Sequence, residues 1–284
     1  MKALKSIYKN ECQIKEISIL KSFIIMAIFL AVPVLINLIA TVIMILINDN
    51  ISFGTAIVVG SIIIIVSNII VVYIIGRKSI KKDNDEIIRN KMLITKKEFL
   101  YVFLIIIGYM LIREVFLFDA LAQFEGPISE NDIDFILNNL STIEIGMVGL
   151  TLAIQVVITA PILEELLFRG IILNGLLSKY KKNYKKAIII SALIFGIAHL
   201  NIPQGVNAFI IGIVIGGIYY CTGSMKLSIF AHFINNFLFL PTPENLLFKS
   251  IYAVLGIYLL IKGIKSLKYK KINSLNDNDY NINL

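Results

Sequence analysis

Eight runs of apolar residues, separated by polar or charged turns, constrain this chain to helices packed side by side in a lipid bilayer. They cover residues 22–47, 51–76, 99–118, 145–177, 187–200, 206–221, 227–240 and 247–264. A chain of 284 residues that is 57% hydrophobic and 16% charged has too little polar surface for a soluble domain. The expected fold is therefore all-α and polytopic, with about eight transmembrane helices and a polar site inside the membrane. The run beginning at Ser22 is too long for a cleaved signal core and is read as a retained first span.

The turns set the orientation. Segment 77–97 carries Arg77, Lys78, Lys81, Lys82, Arg89, Lys91, Lys96 and Lys97. Segment 119–141 has no Lys or Arg and holds Asp119, Glu125, Glu130, Asp132 and Asp134. By the positive-inside rule the first is cytoplasmic and the second external. Alternation then predicts a multi-pass protein of the cell membrane with both termini cytoplasmic, and places Lys179–Lys186, Lys226 and segment 262–271 inside and residues 48–50, 201–204 and 241–245 outside. The net charge of +8 is distributed among these turns, so its expected partner is the lipid surface and no nucleic acid. Cys12 and Cys221 lie far apart and imply no disulfide. The Asn/Asp-rich segment 273–284 is expected to fray.

Polar groups inside the apolar runs carry the chemistry. A charged side chain near the bilayer centre costs roughly 2.5 to 3.5 kcal/mol even on lenient scales, so each needs a partner or a function. In Pro161-Ile-Leu-Glu164-Glu165-Leu-Leu-Phe168-Arg169, Glu165 and Arg169 are one helical turn apart and can pair. Glu164 is turned about 100° away and has no helical partner. Pro161 lacks an amide donor and frees an upstream carbonyl, which opens a helix near a site. The two histidines of the chain follow, His199 one turn after Phe195 and His232 one turn before Asn236.

Depth links these motifs. Glu164 precedes Lys179 by 15 residues and His199 follows Lys186 by 13, so at about 1.5 Å per residue both lie roughly 20 Å from one cytoplasmic turn. Counting from Lys226 puts His232 only about 9 Å deep, a disagreement of about 10 Å. Either segment 223–226 folds inward, or a cavity slopes toward the cytoplasm. Asn235 is expected to be a helix-packing amide, and Arg113-Glu114, near the external end of its span, a structural pair rather than an ion path.

These groups suit hydrolysis. A carboxylate and an imidazole can hold and deprotonate one water while a second pair of donors stabilises the oxyanion. The same atoms leave zinc open, with Glu164, His199 and His232 as its ligands and a fourth position for water. No His-Glu-x-x-His motif decides for the metal.

The motifs Glu-Glu-x-x-x-Arg at Glu164, Glu165 and Arg169, Phe-x-x-x-His at Phe195 and His199, and His-x-x-x-Asn at His232 and Asn236 resemble those of the CPBP intramembrane proteases. That family comprises CAAX proteases and bacteriocin-processing enzymes and is also called Abi or type II CAAX prenyl endopeptidase-like. The resemblance covers about residues 145–240 and divides the chain into N-terminal helices (1–142), a catalytic core (143–241) and a last helix with its tail (242–284). It implies that Glu164 and His199 activate the attacking water and that His232 with Asn236 forms the oxyanion pocket. Glu165, Arg169 and Phe195 then support the site. It implies an intramembrane endopeptidase, either a metalloprotease or a metal-independent glutamate-type enzyme, acting on a membrane-associated peptide or protein. Relatives cut prenylated proteins or serve bacteriocin immunity, peptide maturation and regulation. The competing expectation is a non-catalytic immunity or regulatory protein of the same fold.

Overall fold

The computed structural model describes residues 2–47, 51–81, 94–117, 121, 140–181 and 183–280, with side chains to residue 267. Residues 48–50, Lys82, Arg89 and Lys91 lie outside the described residues, as do Asp119, Glu125, Glu130, Asp132 and Asp134. All eight apolar runs form helices, preceded by a short α1 (Lys2–Tyr8) that the hydropathy pattern does not show. They are α2 (Ile19–Ile47), α3 (Phe53–Ser79), α4 (Lys96–Phe116), the interrupted α5 (Thr142–Lys179), α6 (Tyr184–Ile197), α7 (Ile202–Thr222), α8 (Met225–Phe237) and α9 (Leu246–Tyr280).

The protein is an all-α polytopic membrane protein, as the apolar runs predict. Among the described residues six helices, α2, α3, α4, α5, α7 and α9, are long and apolar enough to cross a bilayer. With 14 and 13 residues, α6 and α8 are about 21 and 20 Å long, short of the ~30 Å hydrocarbon core. The two short helices lead to or carry the histidines. The tail departs from expectation, because the backbone stays helical through Tyr280, with no Gly or Pro after Gly263 to stop it.

Helix starts are capped by side chains, as a membrane edge demands for amides that lack an intrahelical partner. Thr95 with Glu98 and Ser141 with Glu144 form capping boxes. Asn183, Asn201 and Ser224 accept from the backbone amides of Lys186, Gln204 and Leu227. Gly223, at φ 63°, ends α7 in the left-handed conformation that glycine adopts without strain. On the far side of the bundle α9 packs on α4 so closely that a Cβ on Gly108 would stand 2.7 Å from the Gly256 carbonyl oxygen. Glu114 there is buried, holds Arg113, and accepts from Thr242 Oγ1 at 3.1 Å, tying α4 to the segment before α9.

The N-terminal arm is the main feature that hydropathy misses. It passes across the ends of α3 and α5 with Ile7, Ile14 and Ile17 buried. The Lys15 amide donates to Ser79 O at 2.8 Å and the Lys81 amide to Gln13 O at 2.9 Å, making an isolated antiparallel bridge between Ile14 and Ile80. The Ile17 amide donates to Gly175 O at 3.1 Å, and the Ile17 side chain occupies the space where a Cβ on Gly175 would be. Gly170 gives the same room to Ile7 and to the Met225 methyl group. Adding a methyl at Gly175 should therefore expel the arm, since a new Cβ would stand 2.4 Å from Ile17 Cγ1. Gly175→Ala is expected to destabilise the purified protein by about 1 to 3 kcal/mol in thermal unfolding. In an Ile17→Gly background, which also removes the Ile17 Cβ that would stand 2.7 Å away, the same change should cost distinctly less; equal costs in both backgrounds would refute the contact.

Candidate active site

The site begins with the way α5 is interrupted. Gln155–Thr159 is π-helical, Ala160–Glu165 returns to α, and Leu166–Leu173 is π-helical again. Such wide turns leave single carbonyls without their usual partner, and they recur at functional sites. Pro161 sits in the first turn of the α-helical piece and has no amide to give back. The carbonyl of Val156 is taken instead by Asn236 Nδ2 of α8, at 3.0 Å. Further along, Ser191 Oγ donates to Phe168 O at 3.1 Å and Asn174 Nδ2 to Gly170 O at 3.1 Å. The opening expected at Pro161 is thus present as two π-helical segments on either side of the acidic pair.

Glu165 and Arg169 pair across one turn, Oε1 to Nη1 at 3.0 Å, and both are fully buried. The same carboxylate oxygen accepts from His232 Nδ1 at 2.9 Å. Arg169 Nη2 donates to Gly212 O of α7 at 3.2 Å, and its guanidinium carbon lies 4.8 Å from the centroid of Phe195. Phe195 also meets three rings edge to face: Phe168 at 4.9 Å, His199 at 5.0 Å and His232 at 5.6 Å between centroids. One phenyl ring therefore touches the buried cation and both imidazoles.

Glu164 is on the open side of this knot, its side chain 23% exposed against 0% for Glu165. Its Oε2 lies 3.8 Å from His232 Nε2, beyond hydrogen-bond reach and close enough for both to touch one water. His232, His199, Glu165 and Arg169 are all within coulombic range of that carboxylate. His199 follows the end of α6, with Nδ1 2.9 Å from Phe195 O. A carbonyl only accepts, so Nδ1 carries the proton and, in the neutral ring, Nε2 is a bare acceptor. His232 is held the same way, with Nδ1–H given to the Glu165 carboxylate in place of a carbonyl, and its Nε2 donates only when the ring is an imidazolium.

The depth disagreement at His232 resolves in favour of an inward turn. Met225, the first residue of α8, is buried against Gly170, nine residues or about 13 Å before the end of α5. Asn10 Nδ2 holds this turn from below by donating to Gly223 O at 3.3 Å. The structure thus brings Glu164, Glu165, Arg169, Phe195 and His232 into direct contact, and His199 joins through Phe195. Asn236 reaches the site by way of Val156, and its Oδ1 accepts from Asn235 Nδ2 at 3.0 Å. The carbonyls of Gly212 and Val156 are further parts of the framework. Backbone acceptors leave no mark in a sequence, and only Pro161 hinted at one.

Metal ligation does not emerge from this geometry. The histidines have the second-shell bonds of metal ligands, one Nδ1 on a carbonyl and the other on a carboxylate. Yet among the described residues no three His, Cys, Asp or Glu side chains are gathered as a cage, Glu164, His199 and His232 included.

Residues 146–238 match the family model described as type II CAAX prenyl endopeptidase Rce1-like, a range that holds the whole interrupted-helix site. No curated protein and no solved structure matches the chain.

The shared carboxylate makes a stability prediction. Arg169→Met leaves Glu165 buried with one of its two partners gone and should cost about 3 to 5 kcal/mol in thermal unfolding. Replacing both groups, as Glu165→Gln with Arg169→Met, should cost clearly less than the single change; a double variant at least as unstable as Arg169→Met would show that the two side chains do not form a unit.

Proposed function

We propose that this chain, which carries a type II CAAX prenyl endopeptidase Rce1-like domain at residues 146–238, is an intramembrane endopeptidase that cleaves a membrane-associated peptide or protein with one activated water. The observation that carries this reading is the meeting of a partly exposed carboxylate, Glu164, with two imidazoles that are both anchored through Nδ1, one on a backbone carbonyl and the other on the Glu165 carboxylate.

Water set between Glu164 and His199 Nε2 meets two acceptors, so both its hydrogens are engaged and a lone pair is left for attack. As that oxygen adds to the scissile carbonyl carbon, Glu164 takes the proton and later delivers it to the leaving amine, completing hydrolysis without a covalent enzyme intermediate. The carbonyl oxygen becomes an oxyanion. An imidazolium at His232 donates to it from Nε2, and a donor of this kind contributes about 2.7 to 4 kcal/mol to transition-state stabilisation. Asn236 has a second amide hydrogen beyond the one given to Val156 O and is the companion oxyanion donor. Glu165, Arg169 and Phe195 position His232.

Activity can be read without a known substrate by comparing peptides in membranes that contain the wild-type protein or Glu164→Gln, alongside cleavage of a prenylated Cys-terminal peptide. Glu164→Gln keeps size and hydrogen bonding but cannot take a proton, so cleavage should fall by at least about a hundred-fold with unfolding temperature unchanged. His199→Ala should lose cleavage to a similar extent and should also lower the unfolding temperature, because it leaves Phe195 O without its side-chain donor. Full processing by Glu164→Gln would overturn the proposed role of the carboxylate, and an undiminished biological effect without any cleavage would favour the non-catalytic alternative.

A further inference from the structure

Away from the peptidase site, three cations meet at the C-terminal end of α3. Lys15, Arg77 and Lys78 line a cavity of about 510 Å³ together with Tyr73, Ile74 and Ile80. Helix ends of this kind usually repel anions, because their last carbonyls point outward. Here Lys15 changes that character: its Nζ donates to Lys78 O at 2.9 Å, covering an orphan carbonyl with a positive charge. The bridge between Ile14 and Ile80 fixes the backbone that carries Lys15, so this cation belongs to the fold rather than to a loose arm. Among the described residues no Asp or Glu lines the cavity.

The apolar lining has a matching register. Tyr73 and Arg77 are one helical turn apart, and so are Ile74 and Lys78, so the two cations on α3 each have a largely apolar side chain about 6 Å beneath them. Ile74 is 45% exposed on the face that a bilayer would cover. A free phosphate uses only the upper row of this arrangement. A phospholipid uses both, its phosphate on the cations and its first acyl carbons on Tyr73 and Ile74.

We propose that this cavity is a binding site for the headgroup of an anionic phospholipid. It takes the phosphate diester between Lys15, Arg77 and Lys78. The occupied site also clips the N-terminal arm to α3, and through Ile17 and Gly175 that arm buttresses the catalytic helix.

The test is thermal unfolding of the full-length protein in a neutral detergent, titrated with dioleoylphosphatidylglycerol, dioleoylphosphatidylcholine or inorganic phosphate. The anionic lipid should stabilise the wild type saturably, and the other two should not. Arg77→Gln/Lys78→Gln should raise the lipid concentration needed for half the shift about thirty-fold, roughly five-fold per cation. Lys181→Gln/Lys185→Gln, which removes two cations from another turn, should leave it within two-fold. If the first pair does not yield folded protein, Lys15→Gln carries the test with an expected loss of about five-fold. No stabilisation of the wild type, an unchanged midpoint in the pocket variants, or an equal loss in the control pair would overturn the site. Stabilisation by inorganic phosphate equal to that of the lipid would overturn the assignment to phospholipid.

Discussion

The bundle is organised around one carboxylate oxygen, Glu165 Oε1, which serves Arg169 and His232 at once. A guanidinium with 1% exposure inside an apolar bundle is tolerable only when its charge is answered. Glu165 answers the charge, Gly212 O takes a donor, and the face of Phe195 supplies the negative edge of a π system. The answer draws in three elements beyond α5 itself, since Gly212 belongs to α7, Phe195 to α6 and His232 to α8. The ion pair therefore works less as a source of net stability than as a device for register: those four helices satisfy it in only one relative arrangement.

That register is what leaves Glu164 useful. Two adjacent acids on one helix cannot both point into the same knot, so commitment of Glu165 turns its neighbour toward the open side. The sequence resolves this much by helical spacing alone, and the apolar runs, the pairing of Glu165 with Arg169 and the level of Glu164 with His199 follow from the same counting. Counting fails at His232 because the turn between α7 and α8 does not lie at the membrane edge. Gly223 and Met225 are pulled inward onto Gly170 and Asn10, and nothing local to Lys226 reports a contact with residues far away in the chain.

Other parts were illegible for related reasons. The N-terminal arm has too few apolar residues to register as an element; Ile7 and Ile17 become meaningful only when glycines on α3 and α5 are seen to lie opposite them, and Ile14 only through its bridge to Ile80. The π-helical turns of α5 share composition with the α-helical ones, and Pro161 marks one break of two. A count of spans from hydropathy likewise could not separate crossing helices from α6 and α8, whose apolar faces meet protein as well as lipid.

Stopping α6 short creates a problem that the site residues themselves solve. A helix that ends after about 21 Å presents its last carbonyls where water is scarce, and an unanswered carbonyl in hydrocarbon costs several kcal/mol. His199 returns Nδ1 to Phe195 O, one of those carbonyls, and backbone amides of His199 and Leu200 turn back to Gly196 O and Ile197 O. Asn236 does the equivalent for Val156 O at the π-helical opening of α5. Each polar side chain that satisfies irregular backbone is thereby held in one rotamer. Helix breaks and polar side chains imply one another in this bundle: the breaks free the carbonyls of Phe195 and Val156, and His199 and Asn236 are the side chains that answer them.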